Sequence, residues 1–192
     1  MGKNAFCCVV VGCSAQALAV FYQAEGTRAF LDQDANGACA ICDDNDDEPD
    51  LSLVAKVTAK FQTAALLGQV YDSSVFVGTI YERVLAIDEY IDYPERVSGL
   101  AYGDSILYLG RALPPEQRAA EWTAILGVGR DSSALAEVIR RRDDYIFAED
   151  FHVAVLEGLG LPSGLAGVTY RELERYFNSE AEARKVLIHA SG

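Results

Sequence analysis

The sequence predicts an all-α protein, a compact multi-helix domain with at most one or two short strands near its N-terminus or centre. Three observations favour this class: apolar residues recur at helical spacing, capping residues precede several segments, and strands do not alternate regularly with helices. The chain has 192 residues, of which 51% are hydrophobic, so it can bury a sizeable core. We therefore expect a single domain over residues 1–192.

The first half of the chain provides three predicted helices after a short apolar run at residues 6–11, which is compatible with a strand. Residues 15–31 have Leu18, Phe21, Tyr22 and Phe30 near helical spacing. Residues 51–67 carry apolar side chains on one face, with Asp50 as N-cap and Gly68 just past the end. A third helix is predicted from Ser73 or Ser74 through Ile87.

The second half of the chain is predicted to be mainly helical. Residues 98–109 could form a short strand or a buried turn of helix, and periodicity cannot separate the two. Pro114 and Pro115 suit the start of a helix that ends at Gly127, and Asp131 suits the cap of the next. A helical pattern follows over residues 145–156. Capping boxes at Thr169 and Ser179 then predict two short helices.

Acidic residues are concentrated in one segment of the sequence. Residues 25–50 contain nine carboxylates and one basic side chain, Arg28, and so supply -8 of the net charge of -13. Dense like charges repel one another, and Pro49 disfavours a helix, so we expect an acidic, exposed loop over residues 32–50. A chain this acidic would repel phosphate backbones, and we therefore expect no nucleic-acid partner.

Within that loop, residues 32–43 resemble a calcium-binding loop of the EF-hand type. Asp32, Asp34, Asn36 and Asp43 occupy its ligand positions 1, 3, 5 and 12, and Gly37 occupies the turn position 6. These four side chains are the candidate metal ligands, and Ca²⁺ is the candidate cofactor. The pattern departs from the motif because position 12 is the shorter Asp, position 8 is Cys39 and no second loop is present.

Two other groups of residues could bind a metal. Cys39 and Cys42 have the spacing of half a zinc site, which Cys8 and Cys13 could complete, or of a redox dithiol. Glu149 and His152 share one face of a predicted helix, as the ligands of di-iron bundles do, but the motif occurs once. The basic run at residues 140–142 is interpreted as a solvated helix end.

Apolar helical faces are abundant and convergent catalytic residues are scarce, which favours a non-catalytic interaction or structural protein, part of an oligomer or larger assembly. A calcium-binding module is the alternative, and an enzyme of unknown type is the third possibility. The expected partner is another protein or a second copy of the chain, and a membrane role is not favoured. We expect a cytoplasmic protein; if the apolar run after Lys3 is a signal, it would be secreted.

Overall fold

An antiparallel β-sheet organises the chain, so the all-α prediction is wrong and the fold is α+β. The computed structural model describes residues 3–45, 48–97, 109, 111–129, 131–179 and 188–190. The strands are β1 (Ala5–Val11), β2 (Ala29–Gln33), β3 (Ala38–Asp43), β4 (Ala64–Tyr71), β5 (Val75–Glu82), β6 (Leu85–Ile91) and β7 (Ile188–Ala190). The helices are α1 (Ala15–Ala24), α2 (Leu51–Phe61), α3 (Pro94–Val97), α4 (Pro115–Leu126), α5 (Ser133–Arg140), α6 (Ala148–Leu159) and α7 (Tyr170–Ser179).

The seven strands are arranged in the order β6-β5-β4-β1-β3-β2-β7. The first six elements follow the sequence βαββαβ and place β1 and β3 between β4 and β2, which is the split βαβ, or ferredoxin-like, arrangement. The β5–β6 hairpin extends the sheet beyond β4, and every strand pairing is antiparallel.

Helices pack on both faces of the sheet and divide the core into two main layers. One face, which we call face A, carries β-strand residues such as Cys7, Leu66 and Phe76, and α4 to α7 supply the helical residues of the same cluster. The opposite face, face B, carries Cys8 and Leu67 and is covered by α1 and α2. Because side chains alternate along a strand, this assignment fixes the face of the residues in β1 to β5.

The helix predicted over residues 73–87 is instead the β5–β6 hairpin. Nearly all side chains of β4 and β5 are buried, because these strands lie inside the sheet with side chains packed on both faces. Such strands are continuously apolar and lack the polar alternation that identifies a half-exposed strand. Their short apolar runs therefore matched a helical spacing equally well.

Two further predicted helices are shorter than expected. The helix beginning at Ala15 ends at Ala24, and Phe30 lies in β2. The helix capped by Asp50 has the expected start, with the Asp50 carboxylate accepting hydrogen bonds from the N–H groups of Ser52 and Leu53. It ends at Phe61, and Gly68 is a β4 residue instead of a helix terminator.

Several helix boundaries set by local capping were predicted well, but the N-cap of α5 is Ser132 and not the predicted Asp131. The predicted helix that starts at Pro115 is confirmed as α4, which ends at Gly127 with the expected left-handed backbone. The capping box at Thr169 is confirmed, since Thr169 and Glu172 exchange hydrogen bonds at the start of α7. Ser179, where the second capping box was predicted, is the last residue of α7, whereas Glu182 and nearly all of residues 98–109 lie outside the described residues.

Candidate functional site

The segment predicted to be an acidic calcium loop is a β-hairpin. Asp32 lies in β2, Asp43 ends β3, and Asp34 and Asn36 belong to the turn between the two strands. The Asp34 carboxylate accepts the backbone N–H groups of Asn36 and Ala38, both at 2.9 Å. Gly37 has a φ of 83°, a left-handed conformation that glycine adopts without strain. The turn position of the motif is thus used to close a hairpin.

The hairpin separates the four predicted ligands. Asp32 pairs with Ala40 on face A, whereas Asp43 pairs with Ala29 on face B, so these two carboxylates lie on opposite sides of the sheet. Among the residues that the structure describes, no three His, Cys, Asp or Glu side chains form a group that could hold a metal ion. Asp46 and Asp47 lie outside the description. We therefore do not assign a calcium site to this segment.

Two of the predicted ligands do line a cavity. Asp34 and Asn36 border a space of about 390 Å³, which Thr63 and the C-terminal ends of α4 and α6 at Gly127 and Gly160 also line. Asp34 provides the single carboxylate of this lining. Calcium sites combine several carboxylates with other oxygen ligands, so the cavity does not restore the predicted metal site.

Asp43 is nevertheless unusual because burial raises its pKa from 3.8 to about 6, with Asp44 and Asp50 adding in the same direction. A carboxyl with a raised native pKa binds more protons in the folded state than in the unfolded state. Asp43 therefore lowers the stability of the folded state by its largest amount above pH 6, and this destabilisation disappears as the pH falls towards 4. The Asp43 carboxylate accepts the N–H of Asn45, a bond that an amide oxygen can also accept.

We expect Asp43→Asn to raise the melting temperature at pH 7.5 by about 2–6 °C, because the variant no longer buries a charge. The gain should shrink towards pH 4, where the wild-type carboxyl is protonated when folded. Thermal unfolding between pH 4 and 7.5 measures both effects. Asp150→Asn, at an exposed position in α6, is the matched control and should change little. A gain that stays constant over this range would contradict the prediction.

The cysteines do not form the predicted zinc or dithiol sites. Cys39 lies on face B and Cys42 on face A, because three residues along a strand reverse the direction of the side chain. Cys8 and Cys13 belong to face B, so Cys42 cannot complete a site with them. All five cysteines are buried and none forms a disulfide with another described residue, and burial raises the pKa of Cys39 to about 12. The Cys39 thiol is therefore protonated and unreactive at neutral pH.

Glu149 and His152 lie on α6 as predicted, but they do not form a metal site with other described residues. The Glu149 carboxylate accepts a hydrogen bond from the Ser73 hydroxyl through Oε1. His152 is fully buried on face A, and neither of its ring nitrogens has a hydrogen-bond partner among the described residues. The sequence marked this pair by its spacing and gave no indication of the burial.

Two buried ion pairs connect the sheet edge at β6 to the helical layer on face A, one from Asp88 of β6 to Arg118 of α4 and one from Asp92, just after β6, to Arg142 in the turn between α5 and α6, and neither was predicted from the sequence. Asp88 accepts hydrogen bonds from Arg118 at 2.7 Å and from the Trp122 indole at 2.6 Å. Arg142 donates from Nε to Asp92 at 2.6 Å. Arg142 is buried, so the interpretation of residues 140–142 as a solvated helix end is wrong at its third residue. Burial lowers the pKa of the Arg118 guanidinium and raises that of Asp92.

The second ion pair supports an exposed apolar tip, which we define as Ile146 and Phe147. Their exposed fractions are 85% and 55%, and they directly precede α6. On one side of the tip, Arg142 donates from Nη1 to the Tyr145 carbonyl. On the other side, the Ala148 N–H donates to the Ser73 carbonyl. The tip is therefore held in place by hydrogen bonds at both of its flanks.

Polar groups surround the apolar tip. Arg141 and Asp144 form an exposed ion pair with a nitrogen–oxygen distance of 2.6 Å, and the Tyr93 hydroxyl donates to Asp143. An apolar centre with a polar rim is the usual anatomy of a protein–protein interface. The helical pattern predicted over residues 145–156 included Tyr145, Ile146 and Phe147, so this surface was not predicted from the sequence; α6 begins only at Ala148.

Comparisons with known proteins give no further assignment. The chain matches no protein-family model, and neither the curated proteins nor the solved structures contain a significant match. Within the described part of the chain, no helix combines the length and apolar character needed to cross a bilayer.

Proposed function

We propose that the protein is a non-catalytic interaction protein, which binds a protein partner through the apolar tip formed by Ile146 and Phe147. The observation that carries this proposal is the rigid exposure of two adjacent large apolar side chains. Covering an exposed apolar side chain with a partner removes apolar surface from water, which favours binding. Such residues become binding hot spots when they fill a pocket on the partner.

The expected partner is a different protein with a basic surface around an apolar pocket. The chain carries a net charge of -13, so two copies repel each other while a basic protein is attracted. The negative charge of the chain therefore favours a hetero-complex over a homo-oligomer. Complementary charge would act mainly on the rate of association, and the apolar tip would supply the affinity.

The test uses the double variant Ile146→Ser with Phe147→Ser. Ile146 is almost fully exposed, and residue 147 is the N-cap of α6, where Phe makes no side-chain capping bond and serine is a preferred residue. The variant should therefore fold as the wild type does. We expect it to bind the partner about 10- to 100-fold more weakly, as loss of hot-spot contacts does.

The partner is first captured from an extract of the producing cells, and its affinity is then measured with purified proteins by calorimetry. Val20→Ser, which removes a similarly exposed side chain from α1, is the matched control and should bind normally. Equal affinity of the double variant and the control would contradict the proposal. Light scattering at increasing concentration tests self-association, and an oligomer that the double variant disrupts would replace the hetero-partner by a second copy.

A further inference from the structure

The His152 side chain is packed on face A between α6 and the sheet, in an unusual environment. A Cβ atom built on Gly68 of β4 would lie only 2.0 Å from the His152 Nε2, so the ring rests directly on the glycine backbone. The Phe76 ring of β5 packs beside it, with 5.1 Å between ring centroids. The imidazole is thus enclosed by strand backbone and an aromatic ring, and neither nitrogen has a hydrogen-bond partner in the described part of the chain.

No neighbouring charge stabilises a protonated His152 imidazole at this position. On its own helix, Glu149 lies one turn earlier and is hydrogen-bonded to Ser73. The titratable and charged groups on the other elements of this layer include Cys7 of β1, Asp32 of β2, Cys42 of β3, Tyr90 of β6, Tyr170 of α7, and the ion pairs Asp88–Arg118 and Asp92–Arg142. Burial raises the pKa of Cys7, Tyr90 and Tyr170, so these three are neutral at neutral pH, and the charges within each ion pair neutralise each other. Burial is also the cause of the lowered His152 pKa, to which none of these groups contributes. An imidazolium would therefore be buried without a counterion in contact.

We propose that His152 is an acid-sensitive latch, which holds α6 on the sheet while the imidazole is neutral and releases the helix when the ring binds a proton. The neutral ring packs as an aromatic side chain against Gly68 and Phe76. The charged ring must reach water, and it can do so only if α6 moves away from β4.

The sign of the effect follows from the titration of the ring. Burial lowers the pKa of His152 from 6.5 to about 3. A group with a lowered native pKa binds more protons in the unfolded or opened state, so its stabilising contribution is present above pH 6.5 and is lost as the pH falls towards 3. Between pH 8 and pH 5 the ratio of folded to opened molecules should fall by about 30-fold from this group alone.

The latch also affects the apolar tip, because Phe147 is the residue that directly precedes α6. Release of the helix would free the tip from its fixed position and weaken binding of a partner in acid. This second consequence rests on the proposed docking function, whereas the latch itself does not.

Urea unfolding of the full chain at pH 5 and pH 8, followed by the fluorescence of the single tryptophan, Trp122, tests the latch. From pH 8 to pH 5, we expect the folded-to-unfolded ratio to fall in the wild type by a factor about 30 times larger than in His152→Leu. His152→Gln, a polar side chain that does not titrate, provides a second variant if leucine disturbs packing. His189→Gln removes the other histidine and should behave as the wild type. Equal pH dependence in the wild type and both His152 variants would overturn the proposal.

Hydrogen exchange distinguishes release of α6 from general acid destabilisation. At each pH the amides of α6 are compared with those of β4 and β5, which serve as an internal reference. We expect the protection of α6 to fall by at least 10-fold relative to the strands between pH 8 and pH 5 in the wild type, and to stay constant in His152→Leu. A uniform loss of protection in helix and strands would contradict a latch, whatever the outcome of the partner-binding experiment.

Discussion

Gly68→Ala should destabilise the protein by about 3 kcal/mol or more, at the upper end of the range for an overpacked core. The new methyl group would lie 2.0 Å from Nε2 and 2.6 Å from Cε1 of His152, well inside van der Waals contact. The ring cannot move aside easily, because the Phe76 ring packs against it and α6 holds it above β4. Urea unfolding followed by circular dichroism measures the loss.

A double-mutant cycle identifies the cause of this loss. In a His152→Ala background the ring is absent, so the same Gly68→Ala change should cost about 1 kcal/mol or less. Gly26→Ala is the control for the glycine substitution itself, because no described atom beyond its chain neighbours lies within 4 Å of its Cβ position and its left-handed backbone is what opposes alanine. If Gly68→Ala fails to fold, recovery of folded protein in the double variant tests the same point. An equal cost in both backgrounds would show that the clash is not with His152.

Arg118→Met should cost about 3–5 kcal/mol, the range for removing one partner of a buried ion pair. Arg118 is 4% exposed and Asp88 is fully buried, so the variant would leave the Asp88 carboxylate without its closest cation. The Trp122 indole would still donate to it, and Arg111 lies 3.5 Å away, but neither replaces the lost charge at 2.7 Å. Arg118 also donates to the backbone carbonyls of Glu89 and Arg111.

Arg140→Met is the matched control on the same helical layer. Arg140 forms two exposed ion pairs, with Glu116 and Glu137, and loss of such pairs costs less than about 1 kcal/mol. Combining Asp88→Asn with Arg118→Met should recover part of the loss, because the double variant leaves no unpaired carboxylate charge at residue 88. Equal effects of Arg118→Met and Arg140→Met in urea unfolding would refute the importance of burial for this pair.

The candidate site shows which features a linear spacing can predict. The positions of Asp32, Asp34, Asn36 and Asp43 matched a calcium loop, but that match assumed a loop that curls around an ion. In the structure the same residues form a β-hairpin, and strand alternation places Asp32 and Asp43 on opposite faces. The apolar tip was missed for the converse reason: the sequence contains Ile146 and Phe147 but not the packing that leaves them exposed.

Local rules determined three of the described helix starts. Asp50 caps α2, Pro115 begins α4 and Thr169 exchanges hydrogen bonds with Glu172, and each of these effects depends on residues within one helical turn. The sequence alone also determined where the acidic charge is concentrated. Tertiary structure decided the rest: which apolar runs became strands, which face each strand residue occupies, and which polar groups are buried. The runs at β4 and β5 are apolar on both faces because helices cover both, and that layering depends on contacts between residues far apart in the chain.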